Sequence, residues 1–246
     1  MGRYDGKNVV ITGGSSGLGL ATARHLVDEG ARVLITGRTR ETLEDAGRRL
    51  GGNAITVQSD ASSLPDIDVL ADRVEAEFGT VDALFVNAGI GSFDRFDAVT
   101  EQTFDEVFGI NVKGPFFTVQ KLAPLLTEGS AVVLTTSIAN QTGWDALSVY
   151  SATKAALHSM ARTLSRELLP RGIRVNAISP GSIDTGKLEK EVPERAAQLK
   201  AEFTASNPMG RFGHPDEFAP AAAFLAFEAT FVAGIEFVVD GGDSQL

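Results

Sequence analysis

Ala131-Val-Val-Leu-Thr-Thr-Ser137-Ile-Ala-Asn-Gln-Thr-Gly-Trp144-Asp-Ala-Leu-Ser-Val-Tyr150-Ser-Ala-Thr-Lys154 is the stretch on which the reading of this chain turns. Ala131 to Leu134 is an unbroken apolar run ending in Thr135, Thr136 and Ser137, as expected of a parallel strand buried on both faces. From Tyr150 to Leu169 the apolar residues Leu157, Met160, Ala161, Leu164 and Leu168 recur at helical spacing. Tyr150 and Lys154 therefore stand at i and i+4 on the first turn of a helix and face one point. That point lies beyond the carboxyl end of the strand that carries Ser137.

Such a trio has a definite chemistry. A phenol with a pKa of about 10 is a poor proton donor near neutrality. A nearby ammonium favours the phenolate and lowers that value. A decrease of ~2–3 units requires roughly 3–4 kcal/mol of differential interaction, within reach of a close charge in a partly dry cleft. Ser137 adds a neutral hydroxyl to hold a carbonyl oxygen, giving a general acid, its tuner and an orienter. Taken alone, the same pair reads far more readily as an interfacial aromatic and a solvated helix lysine. The rest of the chain has to decide.

Strand-like runs at about 7–11, 32–36, 54–57, 82–86, 130–135, 173–178 and 236–239 alternate with helical stretches. The helices fall at roughly 18–29, 41–50, 65–78, 101–127, 149–169 and 216–227. This alternation predicts an α/β fold of the Rossmann type. It should be one doubly wound domain over residues 1–246, a seven-stranded parallel sheet with helices on both faces. The segment 186–207 is charged and helix-prone but is not followed directly by a strand. It reads as a lid over a cleft or as a plain solvated helix.

Composition narrows the function classes. The 246 residues are 43% hydrophobic and 22% charged, which are globular values. A formal net charge of -10 argues against nucleic acid and anionic membranes as general partners. With no cysteine there is no disulfide and no thiolate metal site, and no metal is expected. No signal-peptide pattern opens the sequence, and no apolar run approaches the ~20 residues that span a bilayer. The expectation is a soluble, cytoplasmic protein.

After the first strand comes Thr12-Gly13-Gly14-Ser15-Ser16-Gly17-Leu18-Gly19, then helix. Glycines let the backbone approach a pyrophosphate, and the helix N-terminus offers amide donors and a favourable dipole. The spacing is G-x-x-x-G-x-G, not the G-x-G-x-x-G of the usual dinucleotide fingerprint. The same loop contains a formal G-x-S-x-G, the nucleophile elbow of a serine hydrolase. That rival fits poorly, because an elbow normally follows several strands. Of the histidines, His25 and His158 lie inside helical patterns, and His214 in a turn before a helix.

With these motifs together, the chain resembles the short-chain dehydrogenase/reductase family over essentially its whole length. Thr12 to Gly19 is similar to that family's cofactor loop, with Gly13, Ser15, Ser16, Gly17, Leu18 and Gly19 at the cofactor. Asn87-Ala88-Gly89 resembles the motif after the fourth strand, and Asn111 the helix asparagine. Ser137, Tyr150 and Lys154 resemble the catalytic set with its Ser-x12-Tyr spacing. Pro180-Gly181, with Ile183 and Thr185, resembles the nicotinamide-side motif, and Val238-Val-Asp-Gly-Gly242 the family's ending.

The resemblance implies hydride transfer between a nicotinamide and a carbonyl or carbinol carbon of a small molecule. Tyr150 would be the acid in reduction and the base in oxidation. Lys154 would tune it and bind the nicotinamide ribose, Ser137 would polarise the substrate oxygen, and Asn111 would hold a water in a proton relay. Asp60 and Ala61 would meet the adenine. A dinucleotide sensor without turnover is a third class, but sensors commonly lose the tyrosine or lysine that this chain keeps. The substrate pocket is expected from Gly91 to Phe96, Asn140 to Trp144 and the insert from Gly186.

For the cofactor, Gly37 stands where NAD binders carry an acid for the ribose 2′-hydroxyl, and Arg38 with Thr39 follows. This favours NADP (NADPH), with NAD as the alternative; Ser16 occupies a loop position that is often basic in NADP-preferring relatives. A homotetramer is expected by resemblance. Ala152, Ala155, Ala156 and Ala161 on the Tyr150 helix, and the apolar segment Phe116 to Leu126, would form close-packed faces.

Overall fold

The computed structural model describes residues 2–246. Seven parallel strands form one sheet in the order β3-β2-β1-β4-β5-β6-β7. They are β1 (Asn8–Thr12), β2 (Arg32–Gly37), β3 (Ala54–Gln58), β4 (Val81–Val86), β5 (Leu126–Thr135), β6 (Arg174–Pro180) and β7 (Glu236–Val239). The strand order reverses at β1, so β1 and β4 open a crevice at their carboxyl ends, where open α/β sheets bind ligands.

Helices cover both faces. Val9, Ile11, Val33 and Ile35 face α1 (Gly17–Asp28), α2 (Arg40–Leu50) and α9 (Pro215–Phe227). Val10, Leu34, Leu84, Val132, Leu134 and Ala177 face α3 (Leu64–Phe78), α5 (Gly114–Leu122) and α6 (Ser148–Leu168). Alternate residues thus go to opposite cores, which is why these strands read as continuous apolar runs. The expected seven strands and doubly wound architecture are present.

The helix expected over 101–127 is instead a composite. It consists of α4 (Glu101–Phe108), a π-turn (Gly109–Lys113) and α5, and β5 then begins at Leu126. The two glycines that frame the π-turn explain the break. A Cβ at Gly114 would collide with the Ala61 carbonyl, so this turn packs directly on the loop after β3. The charged insert is two helices, α7 (Lys187–Glu191) and α8 (Ala196–Ser206), interrupted around Pro193. Gly186 precedes α7 in a left-handed conformation, φ 68°, which favours glycine. Among the described residues, no helix is long and apolar enough to cross a membrane.

Candidate active site

One cleft of about 1170 Å³ runs along the carboxyl ends of the strands. At one end it is lined by Gly13, Ser15, Ser16, Gly17 and Leu18, with Arg38, Thr39, Asp60 and Ala61 beyond them. Ala88 and Gly89 follow Asn87 on its wall. Ser137, Tyr150 and Lys154 stand at the other end, near Pro180, Gly181, Ile183 and Thr185. Of the residues expected for catalysis or cofactor binding, Gly19 and Asn111 do not line the cleft, and each has a visible structural task behind its wall.

Gly19 is packed against the Gly13 carbonyl and the Asn87 amide, with no room for a side chain. The Asn87 side chain donates to the carbonyls of Thr12 (3.3 Å) and Gly13 (3.2 Å). Thr12 Oγ1 in turn accepts from the backbone N–H groups of Asn87 (3.0 Å) and Ala88 (3.2 Å). The end of β4 therefore holds the glycine loop rigid. Ser16, the residue before α1, makes no capping bond with its side chain, and the first turn of α1 has no acidic residue. Helix-start amides free of a competing carboxylate suit a pyrophosphate.

Asn111 sits in the π-turn and is fully buried. Its side chain accepts from Ile90 N (2.9 Å) and donates to Ile90 O (2.9 Å) and Thr153 Oγ1 (3.1 Å). It clamps the Gly89–Gly91 loop to α6. Its donor protons are committed to protein groups. π-turns of this kind recur at functional sites.

Lys154 is buried, with Nζ donating to the Thr135 carbonyl at 2.9 Å. The last residue of β5 thereby fixes the ammonium of α6, one residue before the Thr136-Ser137 pair. Nζ lies 5.6 Å from the Tyr150 ring centroid. Burial, with a smaller contribution from the charge of Lys187, lowers the Lys154 pKa from 10.5 to about 7. Lys187, on α7, places a second ammonium 5.9 Å from the same ring centroid. Sequence reasoning missed Lys187; its place directly after Thr185-Gly186 was the available signal.

The insert contacts the body of the protein at several places, two of them beside Gly91 and Trp144. Glu191 Oε1 accepts from Gly91 N at 3.4 Å and lies 3.6 Å from Lys187 Nζ. Trp144 stacks on Phe203 of α8 with ring centroids 5.4 Å apart. Gly91, Phe93, Trp144 and Leu188 line the cleft. Asn140 does not line it, and Phe96 is 85% exposed to solvent instead.

The hydrolase alternative finds no support. His25 packs edge-on against Tyr4, His214 caps α9 by accepting from Asp216 N, and His158 meets Glu236. None of the three is a partner of Ser15. At the far end of the cleft, Asp60 Oδ1 accepts from Ser62 N (2.8 Å) and Ser62 Oγ (2.7 Å). These bonds, opposed by burial and helped by the charge of Arg38, hold its carboxyl below the usual value.

A family model described as "Enoyl-(Acyl carrier protein) reductase" matches residues 13–244. The chain is 40% identical over 247 residues to "Oxidoreductase asL5" of Sarocladium schorii, covering 99% of this chain and 98% of that one. It is 35% identical over 247 residues to "L-rhamnose 1-dehydrogenase (NAD(P)(+))" of Azotobacter vinelandii, covering 96% of each. Among solved structures, a "Short-chain dehydrogenase/reductase SDR:Glucose/ribitol dehydrogenase" from Brucella melitensis superposes with a TM-score of 0.93. That match is 33% identical and covers 100% of this chain and 99% of the other. A structure of "Levodione Reductase" gives the same TM-score at 32% identity, covering 98% and 99%.

Proposed function

The chain belongs to the short-chain dehydrogenase/reductase family, and on that premise we propose that it is an NADP(H)-dependent oxidoreductase acting on a carbonyl or secondary alcohol. The family uses nicotinamide dinucleotides, and the residues of the cleft suit one. The uncapped start of α1 and the rigid glycine loop would take the pyrophosphate, Asp60 and Ala61 the adenine, and Lys154 the nicotinamide ribose. A bound nicotinamide supplies or accepts the hydride. The observation that carries the reading is the Tyr150 ring flanked by two ammonium groups at 5.6 and 5.9 Å, in the same cleft as Ser137 and the glycine loop.

In reduction, Ser137 Oγ would donate to the carbonyl oxygen and Tyr150 would deliver the proton as the alkoxide forms; oxidation reverses both roles. Positive charge beside the phenol favours its phenolate and so makes it a better acid. Asn111 would serve by holding the Gly89–Gly91 loop against α6, with its backbone carbonyl as the candidate water site. Phe93, Trp144 and Phe203 give the pocket an aromatic wall, which fits a substrate with an apolar face.

NADP preference is supported by Gly37 and by Arg38, which forms no ion pair among the described residues, whereas Arg40 pairs with Glu44 at 3.0 Å. A homotetramer is supported by outward-facing Phe116, 39% exposed, and by the exposed Ala152 and Ala155. Ala161 is not part of that face, being buried in the core.

A screen of carbonyls and alcohols with both nicotinamides, read at the reduced-cofactor band, tests the reaction class. Tyr150→Phe should keep fold and cofactor binding while losing most turnover. Near-normal kcat in that variant would overturn the assignment.

A further inference from the structure

Glu236 lies on the edge strand β7, far along the chain from the catalytic motif, yet its carboxylate reaches the catalytic loop. In register, Glu236 pairs with Ala177 of β6, and Ala177 with Leu134 of β5, so the three side chains share one face. The small Ala177 leaves room for the glutamate to lie across β6 toward the end of β5. Its side chain is only 7% exposed. Oε1 accepts from Thr136 Oγ1 at 2.6 Å and from Asn140 Nδ2 at 2.7 Å, and Oε2 lies 3.3 Å from His158 Nδ1.

Thr136 and Asn140 bracket Ser137. His158 is i+4 from Lys154 and i+8 from Tyr150, on the same stripe of α6. One buried carboxylate thus touches both the serine segment and the helix that carries the tyrosine and lysine. We propose that Glu236 is a positioning residue that fastens Ser137 in register with Tyr150, an inference that rests on the catalytic reading above.

The two contacts on the serine segment do not depend on Glu236 equally. Thr136 is also secured by the sheet: its N–H donates to the Ile178 carbonyl (2.8 Å), and its one hydroxyl proton, given to Glu236, has that carbonyl 3.0 Å away as an alternative acceptor. Among the described residues, the Asn140 side chain has Glu236 as its one hydrogen-bond partner, and its own Oδ1 is buried without one. The carboxylate therefore dictates which way the amide points, even at the cost of an unpaired oxygen. Removing a buried acceptor leaves its donors unpaired, so the far end of the 137–140 turn is what Glu236 secures.

The test is a cycle in the full-length protein. Glu236→Val and Asn140→Ala are each made with Ser137 present and with Ser137→Ala. With a substrate from the screen, each should lower kcat/KM at least about tenfold when Ser137 is present and less than about twofold in the Ser137→Ala background. Equal losses in both backgrounds mean a merely structural role and overturn the proposal. So does a loss accounted for by weaker NADPH binding, measured by fluorescence titration.

A second arm needs no turnover. Hydrogen exchange across residues 137–147 of the cofactor-free variants should quicken at least about tenfold, while β6 and residues 150–168 stay protected. Unchanged exchange in the loop overturns the proposal. If Glu236→Val does not fold, Asn140→Ala decides both arms. If the wild type turns over no carbonyl or alcohol, the reading of Tyr150 fails while the exchange arm still judges Glu236.

Discussion

Arg38→Leu should cost NADPH use far more than NADH use. The end of β2 presents Gly37 where a carboxylate would repel a 2′-phosphate, and Arg38 follows it, exposed and free of an ion pair among the described residues. A charge-assisted hydrogen bond is worth ~1.5–3 kcal/mol, and an exposed guanidinium belongs at the low end. That corresponds to roughly tenfold in kcat/KM for NADPH, rising toward a hundredfold if two nitrogens engage. NADH, lacking the phosphate, should change less than about twofold.

Reversal requires one more step. A Cβ on Gly37 would lie 2.8 Å from Ser15 Oγ and 3.1 Å from Ser15 Cβ, so Gly37→Asp needs Ser15 to move. Gly37→Asp, Arg38→Leu and Ser15→Gly combined should prefer NADH, with Ser15→Gly alone as the control. The assay is initial rates at the reduced-nicotinamide band over a range of each cofactor. If wild type uses NADH as well as NADPH, or if Arg38→Leu slows both equally, the reasoning about Arg38 is wrong.

The remaining predictions concern Lys154, the insert and the assembly. Lys154 has its pKa lowered to about 7 against an ordinary 10.5, so the unfolded chain binds more protons between those values. The stability of the cofactor-free protein should rise with pH across that window, at up to roughly 1.4 kcal/mol per pH unit from this group, and the gain should vanish in Lys154→Met. Denaturant melts should stop near pH 9.5, because Tyr4, pushed up to about 12 by burial and Glu228, withdraws stability above its ordinary 10.0; an unchanged pH slope in Lys154→Met would refute the assignment. Residues 186–207 should close over substrate, so Glu191→Ala should raise KM a few-fold and quicken exchange in α7 with little effect on kcat; unchanged exchange and KM would count against a lid. Light scattering should give a tetramer at micromolar concentration, and a monomer mass would refute the oligomer.

The strands and the pairing of Tyr150 with Lys154 were legible because both are local signals. Val9–Ile11 and Ala131–Leu134 are apolar runs whatever surrounds them, and Tyr150 and Lys154 share a face by helical spacing alone. The break at Gly109–Gly114 was not legible, because Gly114 packs on the Ala61 carbonyl, more than fifty residues away in sequence and touching only in the fold. Lys187 and Glu191 likewise sit in a charged segment that reads the same whether it faces solvent or Tyr150. His158 looked like any half-buried helix histidine, and its partner Glu236 lies in a strand that sequence pattern could place but not aim. Side chains that act across the sheet leave no period in the sequence.

The two lysines beside Tyr150 are not equivalent. Lys154 is held by a carbonyl in a dry site, and with a pKa of about 7 the cofactor-free protein keeps its charge only in part at neutral pH. Anything that brings negative charge or additional hydrogen-bond acceptors to Nζ stabilises the ammonium and restores it. A dinucleotide phosphate at the glycine loop and ribose hydroxyls beside Nζ would do both. The positive charge near the phenol would then be complete only in the loaded enzyme. Lys187 works in the opposite sense, since its charge lowers the pKa of Lys154, yet it carries its own ammonium to the same ring. If α7 moves with the insert, closure exchanges part of one charge for the whole of another, and the field on Tyr150 becomes a function of lid position. Lys187→Met should therefore shift the pH profile of kcat to higher pH while leaving cofactor affinity nearly unchanged. A profile that does not move would place Lys187 outside the tuning of Tyr150.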